Sequence, residues 1–298
     1  VNDIYEYFGK YAFRVCITNE RIIKIDNNSV YFSYKDYGNK NVDKISKVKG
    51  EEFIRRFLSH VLDKSFVKIR YYGIMSCKNK KKKMKKIVIF DLDGTLLNTI
   101  ADLATATNQA LEHFGFPTHP TDAYRFFVGN GINKLFERAL PEGERTEEQI
   151  LRIRSRFLPY YNEHNADLST PYPGIPEVLH TLQSHGILLA VASNKYQSAT
   201  ERLITHYFPT LRFEAVLGQR DDVPKKPHPA IVHEILATAQ VSAQEALYVG
   251  DSDVDMHTAS SAGVESVGVT WGFRSEENLR EAGACHIIHH ADNLLQWV

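Results

Sequence analysis

Hydrophobic and polar positions along this chain change rhythm near residue 85. Beyond it, short unbroken apolar or β-branched runs recur at Ile87–Phe90, Ile187–Ala192, Ala246–Val249 and Val264–Val269. A run without polar alternation suits a parallel strand covered on both faces. Between the runs lie helical segments such as Glu177–Ser184 and Ala230–Ala239. This alternation predicts an α/β fold built on a doubly wound parallel sheet. One interval departs from it: between Thr99 and Thr170 every apolar stripe has the helical period. Ile100, Leu103, Ala110, Leu111 and Phe114 share a face whose one polar member is Thr107, and Gly115 is placed to stop that helix. Gly129-Asn130-Gly131 turns into a second stripe (Ile132, Leu135, Phe136, Leu140), and Glu148–Tyr161 makes a third. Pro171-Tyr172-Pro173-Gly174 marks the return to the sheet. A helical insertion after the first strand is therefore expected.

The first 83 residues follow another pattern. Tyr11–Thr18 and Arg21–Tyr37 hold strand-like runs, broken at Asn27-Asn28. Glu51–Leu62 sets Phe53, Ile54, Phe57, Leu58, Val61 and Leu62 on one helical face, with Glu51 and Glu52 in the first turn, where the helix dipole favours acids. A small N-terminal α+β extension is expected. Charge sharpens the division, because the formal net charge of zero hides a split. Residues 1–83 carry 19 Lys+Arg against 9 Asp+Glu, and residues 84–298 carry 17 against 27. Such asymmetry suggests two pieces of different origin or with different partners. Their join, Lys78–Lys86, reads as a lysine-rich, solvated linker.

Length and composition narrow the class. With 298 residues, 43% hydrophobic and 24% charged, the chain has room for about two globular domains. No apolar run approaches the ~20 residues that span a bilayer. VNDIYEYFGK lacks the basic start and apolar stretch of a signal peptide, so a cytoplasmic protein without membrane partners is expected. Cys16, Cys77 and Cys285 lie far apart with no metal-ligand spacing, which predicts reduced thiols and no zinc site.

Candidate chemistry collects at strand ends. Asp91 and Asp93 follow the first strand, Ser193 follows ILLAVA, and Asp251 follows ALYVG. Lys226, in KKPHP, follows a strand region at Phe213–Leu217. Open α/β sheets bind ligands at this carboxyl edge. Taken singly, each residue has a plainer reading: an Asp capping a helix, a hydroxyl at a strand end, a surface lysine. GDSDVD also lacks the ~12-residue ligand ladder of a calcium loop. Their joint occurrence, in order and at successive strand ends, favours an enzyme. The histidines His228, His257, His286, His289 and His290 show no ligand spacing and read as surface or packing residues.

DLDGT (91–95), the strand ending in Ser193, Lys226 with Pro227, and GDSDVD (250–255) resemble the four motifs of the haloacid dehalogenase superfamily of phosphotransferases. The resemblance runs from Lys85 to the C-terminus. VGNGINKLFERALP, YPGIPEVL, VASNK, KKPHPA, YVGDSDVD and GVTWGF are similar to the phosphoglycolate phosphatase group, with its helical cap. Asn98 departs from the family, where Asp is common, but lies outside the catalytic set.

The resemblance implies a catalytic core at 84–99 and 172–298 and a cap at 100–171, with hinges near Asn98–Ile100 and Tyr172–Gly174. It implies Mg²⁺ held by Asp91, Asp251 and the backbone carbonyl of Asp93, with Asp255 orienting that shell. Asp91 is the implied nucleophile of an aspartyl-phosphate mechanism and Asp93 its acid and base. Thr95, Ser193, Asn194 and Lys226 are the implied phosphate contacts. Lys134, Arg274 and Arg125 are cations able to meet a substrate carboxylate. The expected substrate is a small phosphorylated metabolite, 2-phosphoglycolate first, with sugar phosphates, pyrophosphate and nucleoside monophosphates as alternatives. A monomer or homodimer is expected.

Residues 1–77, above all EEFIRRFLSHVLDKSFVKIRYYGIM, resemble the C-terminal part of rolling-circle insertion-sequence transposases. That family's histidine metal site and catalytic tyrosine have no counterpart here. A transposase-like remnant joined to an enzyme that starts at Met84 is the expected reading. The rival is a basic nucleic-acid-binding module, whose electrostatics the lysines supply without a recognition motif, so nucleic acid is not an expected partner.

Overall fold

The structure is a computed structural model and describes residues 22–26, 29–36, 42–49 and 84–298. The chain divides into two compact units, Val1–Tyr72 and Gly73–Val298. In the first, β1 (Ile22–Asp26), β2 (Ser29–Asp36) and β3 (Val42–Lys49) form an antiparallel sheet in that order. Asn27-Asn28 falls between β1 and β2, where the sequence pattern breaks. The pattern does not announce β3, whose apolar residues Val42, Ile45 and Val48 recur every third position. Continuous pairing with β2, from Ser29↔Lys49 to Asp36↔Val42, makes it a strand. The expected strand at Tyr11–Thr18, the helix at Glu51–Leu62 and linker residues 78–83 lie outside the described residues.

In the second unit, β4 (Ile87–Phe90), β7 (Leu188–Tyr196), β8 (Ala215–Gln219), β9 (Ala246–Gly250), β10 (Glu265–Val269) and β11 (His286–Ile288) form a parallel sheet. Its order is β11-β10-β9-β4-β7-β8. Strand β4 shows why its sequence is unbroken apolar: all four residues are buried, in two different cores. Ile87 and Ile89 pack with Ala190, Tyr248, Ile231 and Ile235 on one face, and Val88 and Phe90 with Leu189, Val249, Val178 and Leu182 on the other. The chain runs from β4 outward through β7 and β8, then returns to β9 on the far side of β4. That reversal opens a crevice at the carboxyl ends of β4, β7 and β9.

Between β4 and β7 lies the helical insertion: α1 (Ile100–His113), α2 (Tyr124–Phe127), α3 (Ile132–Ala139) and α4 (Glu147–His164). These helices share their own core, with Leu103, Leu111, Phe136, Phe157 and Tyr161 buried in it. Thr107 is tolerated on the apolar face because its hydroxyl donates to Leu103 O at 2.7 Å. The two passages into and out of the insertion pair as short antiparallel strands, β5 (Leu97–Asn98) with β6 (Thr170–Pro171). Asp102 clamps them further, accepting from Leu168 N at 2.9 Å, Ser169 N at 2.8 Å and Ser169 Oγ at 2.6 Å.

Several expectations need correction. Lys85 is no solvated linker residue: it is 4% exposed, and its amine donates to Ala246 O at 3.0 Å and pairs with Glu265 at 2.7 Å. The carbonyls at the amino edge of β9 and one carboxylate satisfy the charge there. His286, by contrast, takes the packing role allowed for it: it bonds Glu265 at 2.6 Å and stacks on Trp297. Strand β11, only three residues long, leaves too short a pattern to read. Cys16 and Cys77 lie outside the described residues. Among the described residues no helix is long and apolar enough to cross a membrane.

Two outcomes follow for stability. Asp102→Ala strands the buried N–H of Ser169 and loosens the half-buried one of Leu168, so it is expected to cost about 1–3 kcal/mol, read as a lowered thermal midpoint. The His286 hydrogen bond, joined by Lys85, holds the Glu265 carboxyl down to about 2, against an ordinary value of 4.5. A depressed carboxylate stabilises the fold above its ordinary pKa and loses that contribution as pH falls through the window between the two values. Denaturation midpoints of the Glu265→Gln variant are therefore expected to depend less on pH between about 4.5 and 2 than those of the parent chain.

Candidate active site

Strand β4 ends by delivering Asp91 between its two neighbours, with Asp91 N donating to Val249 O at 2.9 Å. The side chain meets Lys226, whose amine touches Asp91 Oδ1 at 2.8 Å and Asp255 Oδ1 at 2.7 Å. Ala192 O at 2.9 Å and the Tyr248 hydroxyl at 3.1 Å complete the amine's surroundings. Lys226 sits on a loop, which Asn194 pins: Asn194 Oδ1 accepts from Lys226 N at 3.0 Å and its amide donates to Lys226 O at 3.2 Å. Burial disfavours the ammonium, but Asp255 and Asp91 outweigh that and hold its pKa well above the ordinary lysine range.

Among the described residues, Asp91, Asp251 and Asp255 form one buried group whose carboxylate oxygens lie within 4.8 Å of one another. Burial pushes Asp91 up to about 7, with Lys226 opposing and Asp255 adding to the rise. Burial, then Asp255 and Asp91, raises Asp251 well above the carboxylate range. Hard oxygen donors crowded against their own repulsion suit a divalent cation. Asp255 is already committed, accepting from Lys226 and Tyr248 at Oδ1 and from Ser252 at Oδ2. Asp91 keeps Oδ2, and Asp251 faces the same space, so those two fit the cation best.

The backbone makes room for this crowding. Gly94 has φ +93°, and a Cβ there would stand 2.4 Å from Asp251 Oδ2. A Cβ at Gly272 would fall 2.3 Å from Asp251 Cβ. Phe273 N then donates to Asp251 Oδ2 at 2.7 Å. Thr95, expected at the phosphate, is buried beneath and turns its hydroxyl to Asp251 Oδ1 at 3.4 Å. It acts on the carboxylate because it lies below the crevice floor. Asn194 does line the crevice, but its amide is engaged by Lys226 O and by Gly129 O at 3.1 Å.

The crevice is lined by Asp91, Asp93, Ser193, Lys195, Asp251 and Arg274 on the sheet side. Leu103, Val128, Gly129, Ile132 and Leu135 of the insertion form the opposite wall. Ser193 is buried within β7 itself, which runs on to Tyr196 instead of ending there. Arg274 reaches across to the insertion, donating to Val128 O at 3.0 Å and to Arg125 O. Lys134 does not belong to the site: it lies on the outer side of α3, outside the crevice lining, and pairs with Glu137 at 2.6 Å. Helical periodicity explains this, because Leu135 and Phe136 take the inner face.

Sequence reasoning missed Lys195 and Tyr248. Lys195 is buried, with its amine 3.1 Å from Asp93 Oδ1 and 2.8 Å from the Tyr161 hydroxyl of α4. Burial works against its charge, yet Asp93 and Tyr161 hold its pKa above the ordinary range. A lysine two residues beyond Ser193, after an apolar strand, was the available signal.

A family model described as haloacid dehalogenase-like hydrolase matches residues 88–269. A second model, of a transposase family, matches residues 2–83. Phosphoglycolate phosphatase of Mannheimia succiniciproducens is 35% identical over 63% of this chain and 87% of its own length. That of Mesorhizobium japonicum is 34% identical, over 70% and 93%. The crystal structure of a predicted phosphoglycolate phosphatase from Haemophilus somnus superposes with a TM-score of 0.67 at 30% identity, covering 72% of this chain and 99% of that one.

Relieving the carboxylate repulsion gives a test that needs no substrate. Asp251→Asn is expected to raise the thermal midpoint in chelator, because it removes one buried negative charge. Calorimetric titration with Mg²⁺ as the probe should show affinity weakened about 10-fold or more.

Proposed function

We propose that this chain, which belongs to the haloacid dehalogenase-like hydrolases, hydrolyses 2-phosphoglycolate through an aspartyl-phosphate on Asp91. The observation that carries this reading is that Asp91, Asp93 and Asp251 line one crevice, where the buried amine of Lys226 bonds Asp91. The named activity of its relatives supports the substrate.

In the first half-reaction a carboxylate oxygen of Asp91 attacks phosphorus in line. Its O–P bond forms while the bond to the leaving oxygen breaks, and Asp93 supplies that oxygen with a proton. In the second half Asp93 takes a proton from water as it attacks phosphorus, and phosphate departs from Asp91. Lys226 holds Asp91 in place and offers positive charge to the phosphoryl oxygens, with Ser193 beside it. Mg²⁺, held by Asp91, Asp251 and the Asp93 carbonyl, would offset the repulsion between a carboxylate nucleophile and a phosphate dianion. Asp255 and Tyr248 orient Lys226.

The insertion, residues 100–171, acts as a cap that closes the crevice against water. Its apolar wall (Leu103, Val128, Ile132, Leu135) faces Asp91, and its passages meet at β5 and β6.

Phosphate release from 2-phosphoglycolate with Mg²⁺ is the direct assay, and no release would reject the substrate. Asp91→Asn is expected to lose about 10³-fold or more in kcat while keeping its circular dichroism spectrum. Asp93→Asn should lose far more turnover on alkyl phosphates than on p-nitrophenyl phosphate, whose leaving group needs no proton.

A further inference from the structure

We infer that Lys195 is a positioning residue that presents one chosen oxygen of Asp93 to the leaving group, and that it does so only while α4 of the insertion is docked. This rests on the reading of Asp93 as acid and base. Both donors to the Asp93 carboxyl act on the same atom: Thr99 Oγ1 lies 2.6 Å and Lys195 Nζ 3.1 Å from Oδ1. An oxygen accepting from a hydroxyl and an ammonium has no lone pair to spare for the exchangeable proton, which therefore sits on Oδ2. In the acid step the Oδ2–H bond breaks as an O–H bond forms on the departing alkoxide, and the electron pair stays on the carboxylate. In the second half the attacking water returns a proton to Oδ2. Lys195 gains and loses nothing in either step; it fixes which oxygen faces the substrate.

The same amine ties that orientation to the insertion. Its second partner is the Tyr161 hydroxyl at 2.8 Å, and it also lies over the Tyr161 ring, 4.9 Å from the centroid. Tyr161 is fully buried and stacks on Phe157 at 4.9 Å, and Phe157 meets Phe136 of α3 edge-on at 5.0 Å. Helix α3 in turn carries Ile132 and Leu135 into the crevice wall. Two further contacts seat α4 on the same region: the Tyr196 hydroxyl and Arg202 both bond Asn162. A buried ammonium is costly without partners. Here the partners come from two different bodies, the loop after β4 and helix α4. The amine is satisfied, and Asp93 held, when both are in place.

The test compares the parent chain, Lys195→Met, Asp93→Asn and the double variant on 2-phosphoglycolate and p-nitrophenyl phosphate. Lys195→Met is expected to lower kcat on 2-phosphoglycolate about 10- to 100-fold, with KM held within about twofold. On p-nitrophenyl phosphate the loss should stay within about threefold, and in the Asp93→Asn background Lys195→Met should add nothing. Equal losses on the two substrates, or losses that multiply in the double variant, would overturn the inference. Tyr161→Phe removes one hydroxyl from α4 and keeps the ring. It should reproduce the same substrate-selective loss, about three- to tenfold, and an unchanged ratio between the substrates would reject the role of α4. If Lys195→Met fails to fold by circular dichroism, Tyr161→Phe and Lys195→Arg decide the question on the same ratio. A parent chain that releases phosphate from neither compound overturns the functional reading and this inference together, whereas an active parent with multiplying losses rejects Lys195 alone.

Discussion

Negative charge confined away from water organises the catalytic unit. Carboxylate oxygens of Asp91, Asp251 and Asp255 lie within 4.8 Å of one another, all buried, and desolvation and repulsion both work against the ionised forms of Asp91 and Asp251. The surrounding structure reads as a set of answers to that cost. Lys226 is drawn in to bridge two of the three carboxylates and is itself held by Ala192 O, Tyr248 and, through its backbone, Asn194. Removing any one of these leaves a charge without its partner, which is far more damaging than the net worth of the pair suggests. Two glycines, Gly94 and Gly272, exist where a side chain would collide with Asp251. A divalent cation would complete the balance, and its need for hard oxygen ligands matches what Asp91 and Asp251 still offer.

The insertion has a core of its own, joined to this centre by polar contacts and by Tyr196 and Phe273, which pack against that core. Its helices pack on Phe136, Phe157 and Tyr161, none of which belongs to the sheet's own clusters. Hydrogen bonds that connect it to the rest of the unit include Lys195 to Tyr161, Tyr196 and Arg202 to Asn162, Asn194 to Gly129 O, Arg274 to Val128 O and Tyr207 to Ser169 O. Polar contacts of this kind are directional and individually modest, so they fix a position without welding two cores into one. The Asp102 clamp and the β5–β6 pair keep the two passages together whatever the helices do. A wall that is apolar toward the substrate and tethered by polar bonds at its rim suits a cap that opens and closes.

Much of this was legible in the chain. Unbroken apolar runs mark strands buried on both faces, and helical periodicity between Thr99 and Thr170 marks an insertion, because each pattern reports how many faces of an element are covered. Asp91, Asp93 and Asp251 stand out because a strand end in an open sheet is an address the sequence itself spells, and Ser193 and Lys226 because they fall in order among them. Local order also determined that Lys134 and Phe136 occupy opposite sides of one helix. What only the tertiary structure decided were the distances between segments far apart in sequence. Lys226 reaches Asp91 across 135 positions and Lys195 reaches Tyr161 across 34, and neither pairing leaves a trace in local pattern. Thr95 turning under Asp251, Lys85 leaving the linker for Glu265, and Lys195 joining Asp93 share that cause. Sequence fixes which faces are apolar, whereas a buried polar side chain takes whichever partner the closed fold brings within about 3 Å.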